Sequence, residues 1–241
     1  LGRGPWGKPD GGGSHRSLRP LGPVLAAAGP SGVSLWTLDL RAGEDSPDAD
    51  AVWGPAARQA WKSAAASLSR SAPLYWTAAL AKCHSMPAPR FLTALAEDGA
   101  TAGPEPILDG PSFGLAFAIA IAARIYPVSE IRPQVVALAG VDANGGLLPV
   151  GDLARKVYAI ATLLPQVQTL IVAESQWVEA GNAVPQRVSS LSVSAPKSVG
   201  AAVDGAVAGI LPITDRLEGD DHRAAFAEEL FRLTLRGGAG D

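Results

Sequence analysis

The run Asp109-Gly110-Pro111-Ser112-Phe113-Gly114 puts a serine on a tight Gly/Pro turn that opens an apolar helix. A second run, Leu148-Pro149-Val150-Gly151-Asp152-Leu153-Ala154-Arg155-Lys156, puts a lysine early in another helix. The first turn of a helix carries N–H groups without intrahelical acceptors, and the positive end of its dipole lies there. A serine at that place has its hydroxyl beside donors able to stabilise a developing oxyanion. Serine is also a favoured N-cap, and its position alone fits that simpler role. Gly110 and Gly114, which let backbone approach a substrate closely, shift the reading toward a reactive serine.

A lysine on a helix is ordinarily solvated, but the helical positions around Lys156 say otherwise. At about 100° per residue, Val157, Ile160 and Leu164 fall within about 40° of Leu153 and define a buried face. Lys156 lies about 60° to one side of Leu153, between Ile160 and Leu163, while Arg155 points away with Thr162. Burial disfavours the ammonium form and lowers a lysine's pKa. Asp152 fits the N-cap position, so the helix dipole also disfavours positive charge at Lys156. Both effects favour a neutral amine able to accept the Ser112 proton.

These two runs resemble the proteolytic domain of the Lon protease family. Asp109-Gly110-Pro111-Ser112 matches the family's nucleophile motif and Leu148-Pro149-Val150-Gly151 its second motif, with Lys156 on the catalytic lysine. The likeness runs from about Ser34 to Leu211 and takes in Asp98-Gly99-Ala100 ahead of the nucleophile and the run Thr169-Leu170-Ile171-Val172 after the lysine helix. It implies an α+β fold of small mixed sheets packed with helices and a serine peptidase with a Ser112–Lys156 catalytic dyad. Phe113 stands where the family usually has alanine, Asp152 replaces a glycine, and Ala139-Gly140-Val141 replaces Thr-Gly-Glu.

Composition bounds the alternatives. The chain has 241 residues, 47% of them apolar but only 6% aromatic, so the core is expected to be mainly Ala, Val, Leu and Ile. A net charge of −3 without charged runs argues against nucleic acid or anionic membrane as main partners. Cys83 is the single cysteine, which excludes an internal disulfide and a cysteine-based zinc site. His15, His84 and His222 lie far apart in unrelated contexts, and no Gly-x-Ser-x-Gly elbow supports a Ser-His-Asp triad. Neither a metal site nor a cofactor is expected in this chain. No secretory signal is apparent and the apolar run from Leu115 is too short to span a bilayer, so the expectation is a soluble cytoplasmic protein. The first residue is Leu1, not methionine, and a piece of a longer chain is expected.

Residues 1–32 contain nine glycines and five prolines and read as a flexible arm. The proteolytic-type domain is assigned to 33–212 and a C-terminal helix and tail to 213–241. Strands are predicted at 34–40, 91–96, 135–139, 147–150, 169–173 and 191–194, and helices at 56–69, 113–126, 153–164, 199–211 and 223–235. The helix after Ser112 is apolar all round and is predicted to be buried all round. Asn144-Gly145 marks a hairpin. The acidic stretch 43–50, the segment 97–99 and the segment 103–109 read as loops.

The expected function is hydrolysis of peptide bonds in a protein or peptide substrate; the substrate-binding residues are not identified. No Gly-x-x-x-x-Gly-Lys-Ser/Thr loop occurs, so an ATPase or regulatory module is expected on another subunit or on a part outside this chain. The resemblance also implies a tendency toward hexameric rings, partly held by such modules, which admits a homo-oligomer without requiring one. The rival is a Lon-like domain serving as a non-enzymatic assembly module, against which the presence of both Ser112 and Lys156 argues.

Overall fold

A computed structural model of the protein describes residues 24–29, 32–41, 54–71, 88–96, 109–125, 130–132, 134–188 and 190–208. The expected arm up to residue 23, the loop at 43–50, Cys83, the three histidines, the segments 97–99 and 103–108, and the helix at 223–235 lie outside them. Among the described residues five α-helices pack with small sheets, a mixed α+β arrangement. None of those helices is long and apolar enough to cross a membrane.

Strand β1 (Val24–Gly29) pairs antiparallel with β2 (Gly32–Arg41), and β2 pairs antiparallel with β3 (Ala88–Ala96). The β2–β3 register shifts between Trp36 and Thr37, the mark of a bulge. Strand β1 corrects the expectation of a flexible arm to residue 32. Glycine and proline dominate that stretch as a whole, but Val24-Leu25-Ala26-Ala27-Ala28 is an apolar run long enough to pair.

A second sheet is parallel, in the order β5 (Val135–Leu138), β8 (Thr169–Val172), β9 (Ser192–Ser194). Parallel neighbours need crossovers. The first contains the hairpin β6 (Gly140–Val141) and β7 (Leu147–Leu148), followed by α3 (Leu153–Leu163). The second is a 3-10 turn, Glu174–Gln176, leading into α4 (Trp177–Ala183), a helix that the sequence reading missed. The hairpin loop spans 142–146, wider than the two-residue turn that Asn144-Gly145 suggests. Asp142 Oδ1 holds it by accepting from the N–H groups of Asn144 and Gly146. Strand β7 stops at Leu148, short of the expected 150, where Pro149 has no N–H to continue a ladder.

Helix α1 (Pro55–Ser71) starts on a proline, a residue suited to the first helical position. A 3-10 turn, Pro111–Phe113, leads into α2 (Gly114–Ile125). Helix α5 (Val199–Ala206) is capped by Ser198 Oγ, which accepts from Ala201 N–H at 3.3 Å. It ends before the expected 211 because Val207 and Ala208 form β10, antiparallel to β4 (Glu130–Ile131).

The strands divide the apolar interior in two. Leu25, Trp36, Ala137 and Ile171 join α1, α2 and α5 in one cluster. Their strand neighbours Val24, Ala26, Leu35, Val136, Leu138, Leu170 and Val172 join α3 in the other. This is the period-2 alternation of strands buried on both faces. Helix α2 is buried all round as predicted, every residue from Leu115 to Ala122 being at most 3% exposed. Phe113, at the entry to α2, is itself 2% exposed and stands edge-on to Phe117, with ring centroids 6.0 Å apart. Phe117 in turn meets Trp61 at 5.4 Å.

Phe113 is therefore a core residue, although it adjoins Ser112 in sequence. Phe113→Ala is expected to destabilise the fold by about 3–5 kcal/mol, measured by guanidinium denaturation. An unchanged unfolding midpoint would mean that the ring is not packed as described.

Candidate active site

Ser112 and Lys156, 44 residues apart in sequence, meet across the fold: Lys156 Nζ lies 3.3 Å from Ser112 Oγ. Each side chain comes from the start of a helix belonging to a different core. Phe113 and the helix after it anchor Ser112 in the α1–α2–α5 cluster; Leu153 and Val157 anchor Lys156 in the α3 cluster. The Ser112–Lys156 pair spans the seam between them.

The serine's turn is shaped by glycines. Gly110 has φ 135° and ψ 151°, backbone open to glycine and strained for any other residue. Gly114 is needed for another reason than substrate approach: a Cβ there would lie 2.6 Å from Val141 N and 3.2 Å from Gly140 C. The turn thus rests directly on the backbone of β6. Leu115 N–H donates to Ala139 O at 3.0 Å, which ties α2 to the same segment. The amides at the start of α2 are consequently only partly available to a ligand. Gly114 N–H bonds Pro111 O and Leu115 N–H bonds Ala139 O, while Ser112 and Phe113 N–H head the turn where no intrahelical acceptor exists. Ser112 does not act as a cap: Gly110 holds the cap position, and the Ser112 hydroxyl accepts from Lys156.

Asp109 has a part that its sequence context did not reveal. Its Oδ1 accepts from Ala57 N–H at 2.9 Å and from Gly110 N–H at 3.0 Å. One carboxylate oxygen therefore satisfies a first-turn donor of α1 and braces the turn of Ser112. Gly54 makes room for it, since a Cβ there would collide with the Asp109 side chain.

Lys156 is 5% exposed, and Arg155 beside it is turned outward, with its side chain half exposed, as the helical positions predict. Burial pushes the Lys156 amine below its ordinary value of 10.5, while the charge of Asp152 pulls it partly back up. That opposing pull corrects the sequence reading, which counted Asp152 only as a cap. Asp152 does occupy the cap position but makes no capping hydrogen bond; its backbone is left-handed, φ 53° and ψ 34°. Its carboxylate sits 4.0 Å from Arg155 Nη1, and Arg155 Nη2 donates to Gly29 O at 3.2 Å.

Gln176 was not anticipated either. It is 8% exposed, and its amide brackets one peptide unit: Oε1 accepts from Val150 N–H at 2.7 Å and Nε2 donates to Val150 O at 2.8 Å. A glutamine after an apolar strand has no sequence signal that separates this role from a surface position. Among the described residues no three His, Cys, Asp or Glu side chains gather into a group able to hold a metal ion.

Chemically, a buried amine within hydrogen-bond reach of a hydroxyl on a helix-opening turn can act as a general base toward that hydroxyl. The 3.3 Å separation is at the long end for an N–H···O bond, as is common for such pairs without substrate. Comparison with known proteins finds no family model and no curated protein that matches this chain.

Two outcomes follow for Lys156. Its folded-state pKa is lowered, so between that value and 10.5 the unfolded chain binds more protons than the native one. Native stability should therefore rise with pH through this window, and Lys156→Met should remove that part of the slope in denaturation series at several pH values. Asp152→Asn takes away the opposing charge while keeping a residue that tolerates the left-handed region. The Lys156 midpoint in an NMR titration should then fall further, and by less in 1 M salt, because the Asp152 carboxylate is exposed and screened. A midpoint that rises in Asp152→Asn would contradict this electrostatic assignment.

Proposed function

We propose that the protein is a serine endopeptidase that cleaves peptide bonds through a Ser112–Lys156 dyad, on a domain resembling the Lon proteolytic domain. The observation that carries the reading is the approach of a buried lysine amine to within 3.3 Å of a serine hydroxyl. Neutral Lys156 takes the proton of Ser112 as Oγ attacks the scissile carbonyl carbon. The Ser112 and Phe113 N–H groups are the donors for the oxyanion. The lysine ammonium gives its proton to the leaving amine, which departs and leaves an ester on Ser112. Lys156 then deprotonates a water that attacks the ester, and the second tetrahedral species collapses to release the acid and restore the hydroxyl.

Burial makes this lysine suited to the task. An amine with its ordinary pKa would be almost wholly protonated near neutrality, whereas a desolvated one keeps a useful neutral fraction. The resemblance adds an unfolding ATPase supplied from elsewhere, because a protein substrate must enter such a site as extended chain. The cytoplasmic setting rests on the sequence, in which no secretory signal is apparent. Against it stands a non-enzymatic assembly module that merely retains the pair.

A fluorophosphonate probe with peptide mapping decides between them. Ser112 should be labelled, and Ser112→Ala should lose both labelling and peptide cleavage while melting like the parent. Lys156→Arg should be as inactive as Lys156→Ala, because a guanidinium stays protonated and cannot act as a base. Rate should climb through mildly alkaline pH to a plateau, following the neutral amine. Normal turnover in Ser112→Ala, or a rate midpoint near 6.5 as for an ordinary histidine, would refute the dyad.

A further inference from the structure

The lysine reaches Ser112 only if α3 begins in the right place, and the two residues before it do little to ensure that. Gly151 and Asp152 are both exposed; the space a Gly151 Cβ would occupy is open, with nothing within 4 Å. Asp152 holds a left-handed backbone without a capping bond. The turn is thus supported from its two ends: by α3 itself, through Lys156 N–H to Asp152 O at 3.1 Å, and by whatever holds Val150. Val150 is buried in the α3 cluster through its side chain, and its backbone is held by Gln176. Only with Oε1 on the N–H and Nε2 on the carbonyl are both Val150 groups satisfied, so the amide orientation follows from the pairing. The clamp joins the segment before α3 to the 3-10 turn after β8, a central strand of the parallel sheet. It carries the position of that sheet to the start of the lysine helix.

We propose that Gln176 is a positioning residue for the dyad: by gripping both backbone groups of Val150 it sets where α3 starts and so aims Lys156 at Ser112. The proposal rests on the dyad reading for its catalytic meaning, but the positioning itself can be read without any turnover. Loss of the clamp lets the 150–152 turn relax outward and carries Lys156 away from its buried seat toward water. Among the described residues Asp152 is the charged group acting on Lys156, and it sits on that same turn.

The test compares the parent with Gln176→Met, which keeps length and bulk but loses both hydrogen bonds. Lysines carrying 13C at Cε are titrated by NMR, with Lys156 assigned by the signal lost in Lys156→Arg. In parallel, the rate of fluorophosphonate labelling at Ser112 is measured. In the parent, Lys156 should titrate below the other lysines. In Gln176→Met its midpoint should move up toward theirs, and labelling should slow at least tenfold while the protein still melts cooperatively. A change in global stability alone leaves the native-state midpoint where it was. Should Gln176→Met fail to melt cooperatively, Gln176→Asn, whose amide is too short to reach both Val150 groups, is read by the same two signals. A folded variant with the parental midpoint overturns the proposal. A parent whose Lys156 midpoint is depressed but whose Ser112 is never labelled refutes the dyad reading instead, and the shift between parent and variant still decides the role of Gln176.

Discussion

Everything at the candidate site depends on strands that bury both faces. In β1, β2, β5 and β8 successive side chains go to opposite sides, so two apolar clusters form instead of one. The helix that follows Ser112 belongs to the first cluster and the helix that bears Lys156 to the second. Neither cluster by itself brings Ser112 and Lys156 together. The pair exists because the strands hold the two clusters at a fixed separation, and the starts of both helices come out at the same part of the seam.

That placement explains how an ammonium-forming residue is kept in a buried position. Its neighbours on α3, Leu153, Val157 and Ile160, lie in the α3 cluster, and its tip extends to the Ser112 hydroxyl. Desolvation acts on the amine while Asp152, outside on the turn, draws it partly back toward its charged form. Arg155 lies next to Asp152 and also reaches the end of the β1–β2 hairpin. The surface charges beside the lysine therefore do two things at once: they moderate its proton affinity and fasten α3 to the antiparallel sheet.

The serine's side of the seam is built by backbone proximity more than by side-chain bonds. Gly114 lies against the Gly140–Val141 backbone, and a Cβ on Gly140 would meet Pro111 O at 3.2 Å. Strand β6 and the turn that carries Ser112 meet closely at Gly114 and Gly140. Together with the Leu115 N–H bond to Ala139 O, this leaves the turn little freedom to shift relative to the hairpin. Asp109 adds a brace from α1.

Much of this was legible in the residues alone. The all-round apolar run after Ser112 required a fully buried helix, and the angular position of Lys156 beside Ile160 required a buried amine, because both follow from helix periodicity within a single element. The α+β class followed from mixed strand and helix patterns. Other features depend on partners distant in sequence and have no local signature. Strand β1 is a run of small apolar residues that only β2 turns into a strand. Val207 leaves the helical pattern because Ile131 is there to pair with it. Asp109 becomes a brace only where Ala57 N–H comes within reach, and Gln176 becomes a clamp only where Val150 arrives beside it. By itself the sequence determined which faces of the helices must be buried and which residue types stood ready for chemistry, since periodicity and side-chain chemistry are local. The tertiary structure alone decided that Ser112 and Lys156 face each other and what holds them there. Hydrogen bonds and close backbone contacts act over a few ångströms in space, however far apart their partners lie along the chain.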